Sequence, residues 1–192
     1  MTKTIFLING FHSQSTEQSF DYLDKHFSNL GYTVQKPHID WKYKVMSDNV
    51  KQFEEFFNTH KTDYNTVLGF SFGAMIAFIS APKLKPDELY LCSLSPYFKE
   101  DIKVLNKQWV KYIGHRRAND FAQFDSSIIA SKIFSKTKVF YGTTEAQKYP
   151  ELKARCIQAA TEIKNAKLII AKDAKHNIED PGYKKALISV IN

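Results

Sequence analysis

The fold is decided by NTVLGFSFGAMIAF, residues 65–78 of the chain. Its beginning, NTVL, favours a buried strand, and the apolar run that starts at Phe72 favours a helix. Between them stands the pattern G-x-S-x-G, in which Gly69 and Gly73 flank Ser71. A serine on so sharp a strand-to-helix turn needs small residues at the flanking positions, because larger side chains would collide with the neighbouring backbone. The pattern predicts a serine hydroxyl presented at a helix N-terminus, where the helix dipole favours negative charge.

Strand-like and helix-like segments alternate on both sides of this stretch. Short apolar or β-branched runs predict strands at residues 4–8, 32–36, 65–69, 88–94, 138–141 and 166–171. Segments of helical period lie at residues 13–30, 46–59, 72–81, 151–163 and 183–191, the third of which we expect to end near Pro82. This alternation predicts an α/β fold, with a mostly parallel sheet of about six strands flanked by helices. We expect a single domain over residues 1–192, since the length suits one domain.

One interval is longer than a crossover helix needs. Residues 96–136 separate the fourth and fifth predicted strands, with helical period around Trp109 and Tyr112. We interpret this interval as a small helical, cap-like insertion that lies over the ends of the strands. Its first part, residues 96–120, carries six basic and three acidic side chains, so the predicted insertion is positively charged.

Composition excludes several classes of protein. The chain has two cysteines and no pair of histidines at helical ligand spacing, so we expect no disulfide framework, no metal and no cofactor. No apolar run reaches the length of a membrane span, and no leader peptide is evident at the N-terminus. We therefore expect a cytoplasmic protein without a membrane partner. The formal net charge is +7, but the basic residues are dispersed and no nucleic-acid-binding signature accompanies them, so no nucleic-acid partner is expected.

A serine hydroxyl becomes a strong nucleophile when a base removes its proton and a carboxylate orients that base. In a strand–turn–helix context the acid and then the histidine are expected after later strands. Of the six histidines, only His115 and His176 follow Ser71 in the chain. His176 comes after the last predicted strand, whereas His115 lies in the insertion beside two arginines. We therefore predict that His176 is the base.

Three carboxylates are candidates for orienting this base. Glu145 lies three residues beyond Gly142, at the end of the fifth predicted strand, and is the preferred candidate. A glutamate reaches one methylene farther than an aspartate and can do the same work. Asp173 stands three residues before His176, although so short a loop rarely points both side chains at each other. Asp101, after the fourth predicted strand, is the third candidate.

Two backbone N–H groups are predicted to stabilise negative charge on a carbonyl oxygen. One belongs to Phe72, directly after the serine, and the other to Phe11, where Gly10 allows a sharp turn after the first strand. Aromatic residues near these positions indicate an apolar substrate pocket, and its candidate lining residues are His12, Trp109 and Tyr112. His12 could instead simply begin the following helix.

Taken in chain order, four segments resemble the α/β-hydrolase superfamily, in particular its small, single-domain serine esterases. They are the turn at residues 9–11, the nucleophile elbow at 69–73, the acid loop at 142–145 and the loop around His176. The resemblance spans nearly the whole chain. The sequence departs from the family pattern at Asn9, where histidine is frequent, and at Glu145, where aspartate is usual.

This resemblance implies an α/β-hydrolase fold and a serine hydrolase of the carboxylesterase or thioesterase class (EC 3.1). Such an enzyme cleaves a small-molecule carboxylic ester or thioester through an acyl-enzyme on Ser71, with a catalytic triad, an oxyanion hole and no cofactor. Two other functions stay open. The basic insertion could steer an acidic carrier protein that bears the acyl chain. Alternatively, the chain is a non-catalytic binding module on a hydrolase scaffold.

Overall fold

The computed structural model describes residues 1–11, 20–102, 105 and 107–191. Six strands occur in these residues: β1 Lys3–Ile8, β2 Tyr32–Gln35, β3 Tyr64–Phe70, β4 Glu88–Cys92, β5 Lys136–Gly142 and β6 Ala166–Ala171. The helices in these residues are α1 Asp21–Asn29, α2 Met46–His60, α3 Phe72–Leu84, α4 Lys107–Ile113, α5 His115–Phe121, α6 Ser126–Ala130, α7 Thr143–Lys148, α8 Pro150–Glu162 and α9 Pro181–Ile188. Of these described helices, none is long and apolar enough to cross a membrane.

The strands form one sheet in the order β2-β1-β3-β4-β5-β6, and every adjacent pair is parallel. The predicted six-stranded parallel sheet is thus confirmed. The chain proceeds outward from β1 to β2 and then crosses back to β3 on the other side of β1. At such a switch point the loops leaving the two strands part, which opens a crevice at the carboxyl edge. The turn after β1 and the turn after β3 flank this crevice.

Both faces of the sheet are covered, which explains the continuous apolar sequence of β1. Its successive side chains point to opposite faces, since the period of a strand is two. Phe6 joins a cluster with Phe53 and Phe57 of α2, while Leu7 joins a second cluster with Phe27 of α1. All four of these phenylalanines are at most 2% exposed, so the core continues on either side of the strand. Packing on both faces therefore holds the centres of the strands, and the loops that could form a site lie at the strand ends.

The interval between β4 and β5 contains the three short helices α4, α5 and α6. Arg155 connects this segment to helix α8, which packs on β5 and β6. Its side chain is only 4% exposed and lies 2.8 Å from Glu100 Oε1 and 2.7 Å from Asp101 Oδ1. Its guanidinium also donates to Ser126 Oγ at the start of α6. Burial opposes the ionisation of Glu100 most strongly, but the hydrogen bond from Ser126 and the Arg155 charge outweigh it, so the pKa of Glu100 lies below its ordinary value.

Helix α3 ends at Leu84, two residues beyond Pro82, so the expectation that it ends near the proline is confirmed. A proline removes the N–H that would bond the carbonyl four residues earlier and crowds that carbonyl, which disfavours further helix. Pro82 lies in the last turn of α3. The helix ends only where Lys85 adopts a left-handed φ of 51°.

Replacement of Arg155 by methionine should lower the free energy of unfolding by about 3 kcal/mol, because it leaves two carboxylates without their buried counter-ion. Urea unfolding followed by circular dichroism measures this change. Arg116→Met is the matched control: its ion pair with Asp48 is 3.8 Å long and its side chain 71% exposed. We expect the control to cost about 0.5 kcal/mol or less. Equal losses in the two variants would contradict the anchoring role of Arg155.

Candidate active site

Ser71 stands on the turn between β3 and α3 with a φ of 57° and a ψ of −119°, a conformation that is strained for a residue with a side chain. Its N–H donates to the Cys92 carbonyl at 2.9 Å, which fixes the turn to the neighbouring strand β4. A Cβ on Gly69 would lie 2.2 Å from the Gly73 carbonyl oxygen, and one on Gly73 would lie 2.2 Å from the Ile8 carbonyl oxygen. The glycines are therefore required because α3 begins in direct contact with β1.

The structure brings together the three side chains predicted from sequence to act with one another. His176 Nε2 lies 3.1 Å from Ser71 Oγ, and His176 Nδ1 lies 2.8 Å from Glu145 Oε2. The imidazole comes from the loop after β6 and packs against the Phe70 ring, with 4.9 Å between ring centroids. A third of the histidine side chain remains exposed, whereas the glutamate side chain is fully buried. This arrangement can pass a proton from the serine to the imidazole.

Glu145 is surrounded by hydrogen-bond donors. Its carboxylate accepts the Gly142 N–H at 2.6 Å and the Ser93 hydroxyl at 2.9 Å, and it also accepts the Tyr183 hydroxyl. A buried carboxylate without partners would be costly, and these donors offset its loss of water. Burial first and the Glu145 charge second raise the pKa of Tyr183 well above its ordinary value. The phenol therefore keeps the proton that it donates to the carboxylate.

The short helix α7, which the sequence analysis did not predict, explains how a glutamate serves in this position. Glu145 is the third residue of α7, and its side chain folds back to accept the N–H of Gly142, the N-cap residue. This is the acidic half of a capping box. The same carboxylate still reaches the imidazole with its other oxygen. The helix start thus sets the direction of the side chain.

The two alternative acids occupy other positions. Asp101 Oδ1 and Oδ2 accept hydrogen bonds from Arg155 at 2.7 and 2.8 Å, so this carboxylate belongs to the anchor of the inserted helices. Asp173 is exposed, has a left-handed φ of 59°, and donates its own N–H to Thr143 Oγ1 at 2.8 Å. Within the described residues, the carboxylate in contact with His176 is Glu145.

The turn after β1 lies against the serine, as expected for a loop that supplies an N–H donor. A Cβ on Gly10 would be 3.1 Å from Ser71 Cβ and 3.6 Å from its Oγ. The Phe11 ring packs on the Phe72 ring, with 5.3 Å between centroids. Phe72 is the first residue of α3, where an N–H has no acceptor within the helix. Of the two predicted donor residues, Phe72 directly follows Ser71, and Phe11 directly follows Gly10, which lies against Ser71.

Aromatic side chains extend from this point into the inserted helices. Trp109 and Tyr112 stack on each other at 5.1 Å, and Tyr112 meets the Phe11 ring edge-on at 6.5 Å. Among the described residues, the buried indole N–H of Trp109 finds no acceptor. His12, the remaining predicted pocket residue, lies outside the described residues. The part of the chain that the structure describes contains no group of three or more His, Cys, Asp or Glu side chains placed to hold a metal ion.

Sequence analysis missed four residues of this region. They are Ser95, whose hydroxyl is 3.3 Å from Ser71 Oγ, together with Ser93, Tyr183 and Trp41. A signal existed for the two serines, since both lie within three residues of the end of β4, the neighbour of β3 in the sheet. No local pattern marks Tyr183 or Trp41, which approach the site only through the packing of distant segments.

No protein-family model and no curated protein matches the chain by sequence. Solved structures match its fold. Est1E from Butyrivibrio proteoclasticus with ferulic acid bound has a TM-score of 0.81 at 12% identity, over 97% of this chain and 86% of that one. The alpha/beta hydrolase domain-containing protein 10 from mouse has a TM-score of 0.71 at 14% identity, over 97% of this chain and 86% of that one. A thioesterase domain from the curacin biosynthetic pathway has a TM-score of 0.66 at 15% identity, over 99% of this chain and 92% of that one. The chain therefore has the α/β-hydrolase fold.

Replacement of Gly73 by alanine should lower the free energy of unfolding by about 3 kcal/mol or more, because backbone atoms of β1 cannot rotate away from the new methyl group. Denaturant unfolding measures the loss. Gly31→Asn is the control, since a Cβ there has nothing within 4 Å and asparagine tolerates the φ of 78°. A Gly73→Ala variant as stable as this control would disprove the close contact of α3 with β1.

Proposed function

We propose that this protein is a serine hydrolase of the EC 3.1 class that cleaves a carboxylic ester or thioester through an acyl-enzyme on Ser71. The observation that carries the proposal is the hydrogen-bonded line from Ser71 through His176 to Glu145 at distances of 3.1 and 2.8 Å. The strained backbone of the serine supports it further, since strain of this kind is retained where the side chain must be presented to a reactant.

In the proposed mechanism Ser71 Oγ attacks the carbonyl carbon while His176 Nε2 accepts the hydroxyl proton. The N–H groups of Phe11 and Phe72 donate to the oxygen that becomes negative. His176 then gives the proton to the departing alcohol or thiol as the tetrahedral intermediate collapses. Water, deprotonated by the same imidazole, attacks the acyl-enzyme and releases the acid, which restores the serine.

The buried carboxylate of Glu145 acts on the histidine rather than on the substrate. The imidazolium of His176 forms next to the buried carboxylate of Glu145. Because no water screens this pair of charges, the attraction between them is stronger than it would be at the surface. The donors around the carboxylate also fix its position, so His176 Nδ1 is held as the protonated nitrogen and Nε2 is free to accept. Glutamate thereby fulfils the role that the family usually gives to aspartate.

The aromatic rings near the site favour an apolar or aromatic substrate group of medium size. Trp109 is stacked on both Tyr97 and Tyr112, and Tyr112 leaves most of its ring exposed. One structural neighbour, Est1E, was solved with ferulic acid, an aromatic acid, bound. At 12% identity this likeness indicates the fold alone, so the substrate argument depends on the rings of this chain.

A second candidate is an esterase or thioesterase that acts on an acyl chain attached to an acidic carrier protein. The basic side chains of α4 and α5 favour it, because these helices pack beside the candidate pocket. Steering of an acidic protein by such charges weakens with salt. An acyl-carrier thioester assayed at low and at high salt tests this candidate, and a rate that is independent of salt would exclude it.

A fluorophosphonate probe should label the wild-type protein but neither Ser71→Ala nor His176→Ala, since both the nucleophile and its base are needed. Turnover of p-nitrophenyl esters should fall by about 10³-fold or more in each variant. Ser131→Ala, an exposed serine of the α6–β5 loop, is the control and should label normally. Absence of labelling in the wild type would favour the non-catalytic binding module.

Glu145→Gln should reduce kcat by about 10²-fold or more, because a neutral amide neither stabilises the imidazolium nor selects the reactive tautomer. Asp173→Asn should leave kcat within about threefold of wild type, since its side chain is exposed and the imidazole is held by another group. Steady-state kinetics on one ester compares the two variants. A nearly silent Glu145→Gln together with an impaired Asp173→Asn or Asp101→Asn would overturn the assignment of the acid.

A further inference from the structure

A groove of about 490 Å³ lies between two segments beside the candidate active site. One wall is formed by residues 41–45, which precede α2, and the other by residues 113–117, at the junction of α4 and α5. Its volume falls in the range of about 300–1,000 Å³ that is typical of sites for small molecules. The proposed chemistry takes place outside it, so the groove has no role in the bond-breaking steps.

Trp41 connects this groove to the reacting serine. Its ring meets the Phe11 ring edge-on at 5.3 Å and the Phe72 ring at 6.0 Å. These are the two residues whose N–H groups are proposed to hold the oxyanion, and Gly10 beside Phe11 lies against Ser71. One substrate molecule could therefore place its carbonyl at the serine and another part in the groove.

The charge of the groove is positive and largely unbalanced. Four basic side chains line it and no acidic one does; they are Lys42, Lys44, Arg116 and Arg117. Among the described residues, no carboxylate lies within ion-pair distance of either lysine. Arg116 donates to the neutral Tyr43 carbonyl at 3.0 Å, and its contact with a carboxylate is the long, exposed one of 3.8 Å with Asp48.

Arg117 holds the walls together without losing its charge. Its guanidinium donates to the backbone carbonyls of Trp41 and Lys44 on one wall and of Ile113 on the other. Carbonyl oxygens are neutral acceptors, so the positive charge stays available to a ligand. The same group lies 5.1 Å above the Phe11 ring, between the groove and the candidate site. The groove is therefore built in advance of any ligand.

We infer that this groove binds an anionic group, a carboxylate or a phosphate, of the ester or thioester that Ser71 cleaves. The inference rests on the proposed function and adds the charge of the substrate to it. Lys42 and Lys44 provide exposed point charges on one wall, and Arg117 provides a charge that three carbonyl contacts hold beside the Phe11 ring. A negative charge on the substrate thereby contributes to binding and directs the scissile carbonyl toward the oxyanion donors.

The test compares esters that differ only in charge. On the alcohol side, 4-butyryloxybenzoate and 4-butyryloxyphenyl phosphate are compared with neutral 4-butyryloxybenzamide. On the acyl side, phenyl hydrogen succinate is compared with neutral phenyl succinamate. We expect the wild type to prefer the anionic members of at least one set by about 10-fold in kcat/KM at low salt, mainly through KM. The set that shows the preference identifies the side of the substrate that enters the groove, and no preference in either set would overturn the inference.

The double variant Lys42→Gln/Lys44→Gln should abolish most of this preference, because it lowers kcat/KM for the anionic esters far more than for the neutral ones. Lys132→Gln/Lys164→Gln is the matched control, because both lysines are exposed and precede β5 and β6 at the opposite edge of the sheet. The control should keep the preference. Equal losses on charged and neutral esters, or the same loss in the control variant, would contradict an anion site in the groove.

The experiments distinguish a groove that binds no anion from a protein that is not a hydrolase. If the wild type and both double lysine variants hydrolyse neutral and anionic esters equally well, the proposed hydrolase activity is supported and the anion site is rejected. A binding measurement without turnover completes the test. Titration calorimetry of the Ser71→Ala variant gives the Kd of 4-butyryloxybenzoate and of 4-butyryloxybenzamide. Tighter binding of the benzoate, lost when Lys42 and Lys44 are also replaced, supports the site, and equal binding of the two compounds rejects it.

Discussion

The contact between the start of α3 and the end of β1 constrains everything else around Ser71. Carbonyl oxygens of Ile8 and Asn9 occupy the space where a side chain of Gly73 would be, 2.2 and 2.5 Å from an added Cβ. A helix can begin so close to a strand only after a very sharp turn, and that turn forces Ser71 into its strained backbone. The same contact brings Gly10 against the serine. One steric condition thus sets the backbone conformation of Ser71, the direction of its hydroxyl and the position of the adjacent loop.

A second constraint is the burial of the Glu145 carboxylate. Its partners come from four separate parts of the chain: the residue after β4, the end of β5, the loop after β6 and helix α9. The Gly142 N–H and the hydroxyls of Ser93 and Tyr183 donate to it, which offsets the loss of water around the buried group. The carboxyl edge of the parallel sheet is where these segments meet. The sheet order therefore determines the electrostatics of the site as well as its shape.

The sequence predicted the parts of this structure that depend on local pattern. The six strands, the elbow, and the histidine after the last strand follow from short runs of residues and their order. Residues that depend on the packing of distant segments were not predictable. Tyr183 reaches Glu145 across 38 positions, and Trp41 reaches Phe72 only because the loop before α2 folds over the edge of the sheet. Asp101 was a reasonable alternative acid until the structure paired it with Arg155, a partner 54 positions away.

The Tyr183 hydroxyl that supports Glu145 makes the acid depend on helix α9. Both His176 and Tyr183 come after β6 in the chain, and Tyr183 is the third residue of α9. Local unfolding of α9 would take the phenol away from the buried carboxylate. It would thereby weaken the hold on His176 while Ser71 and the imidazole both remain in the chain.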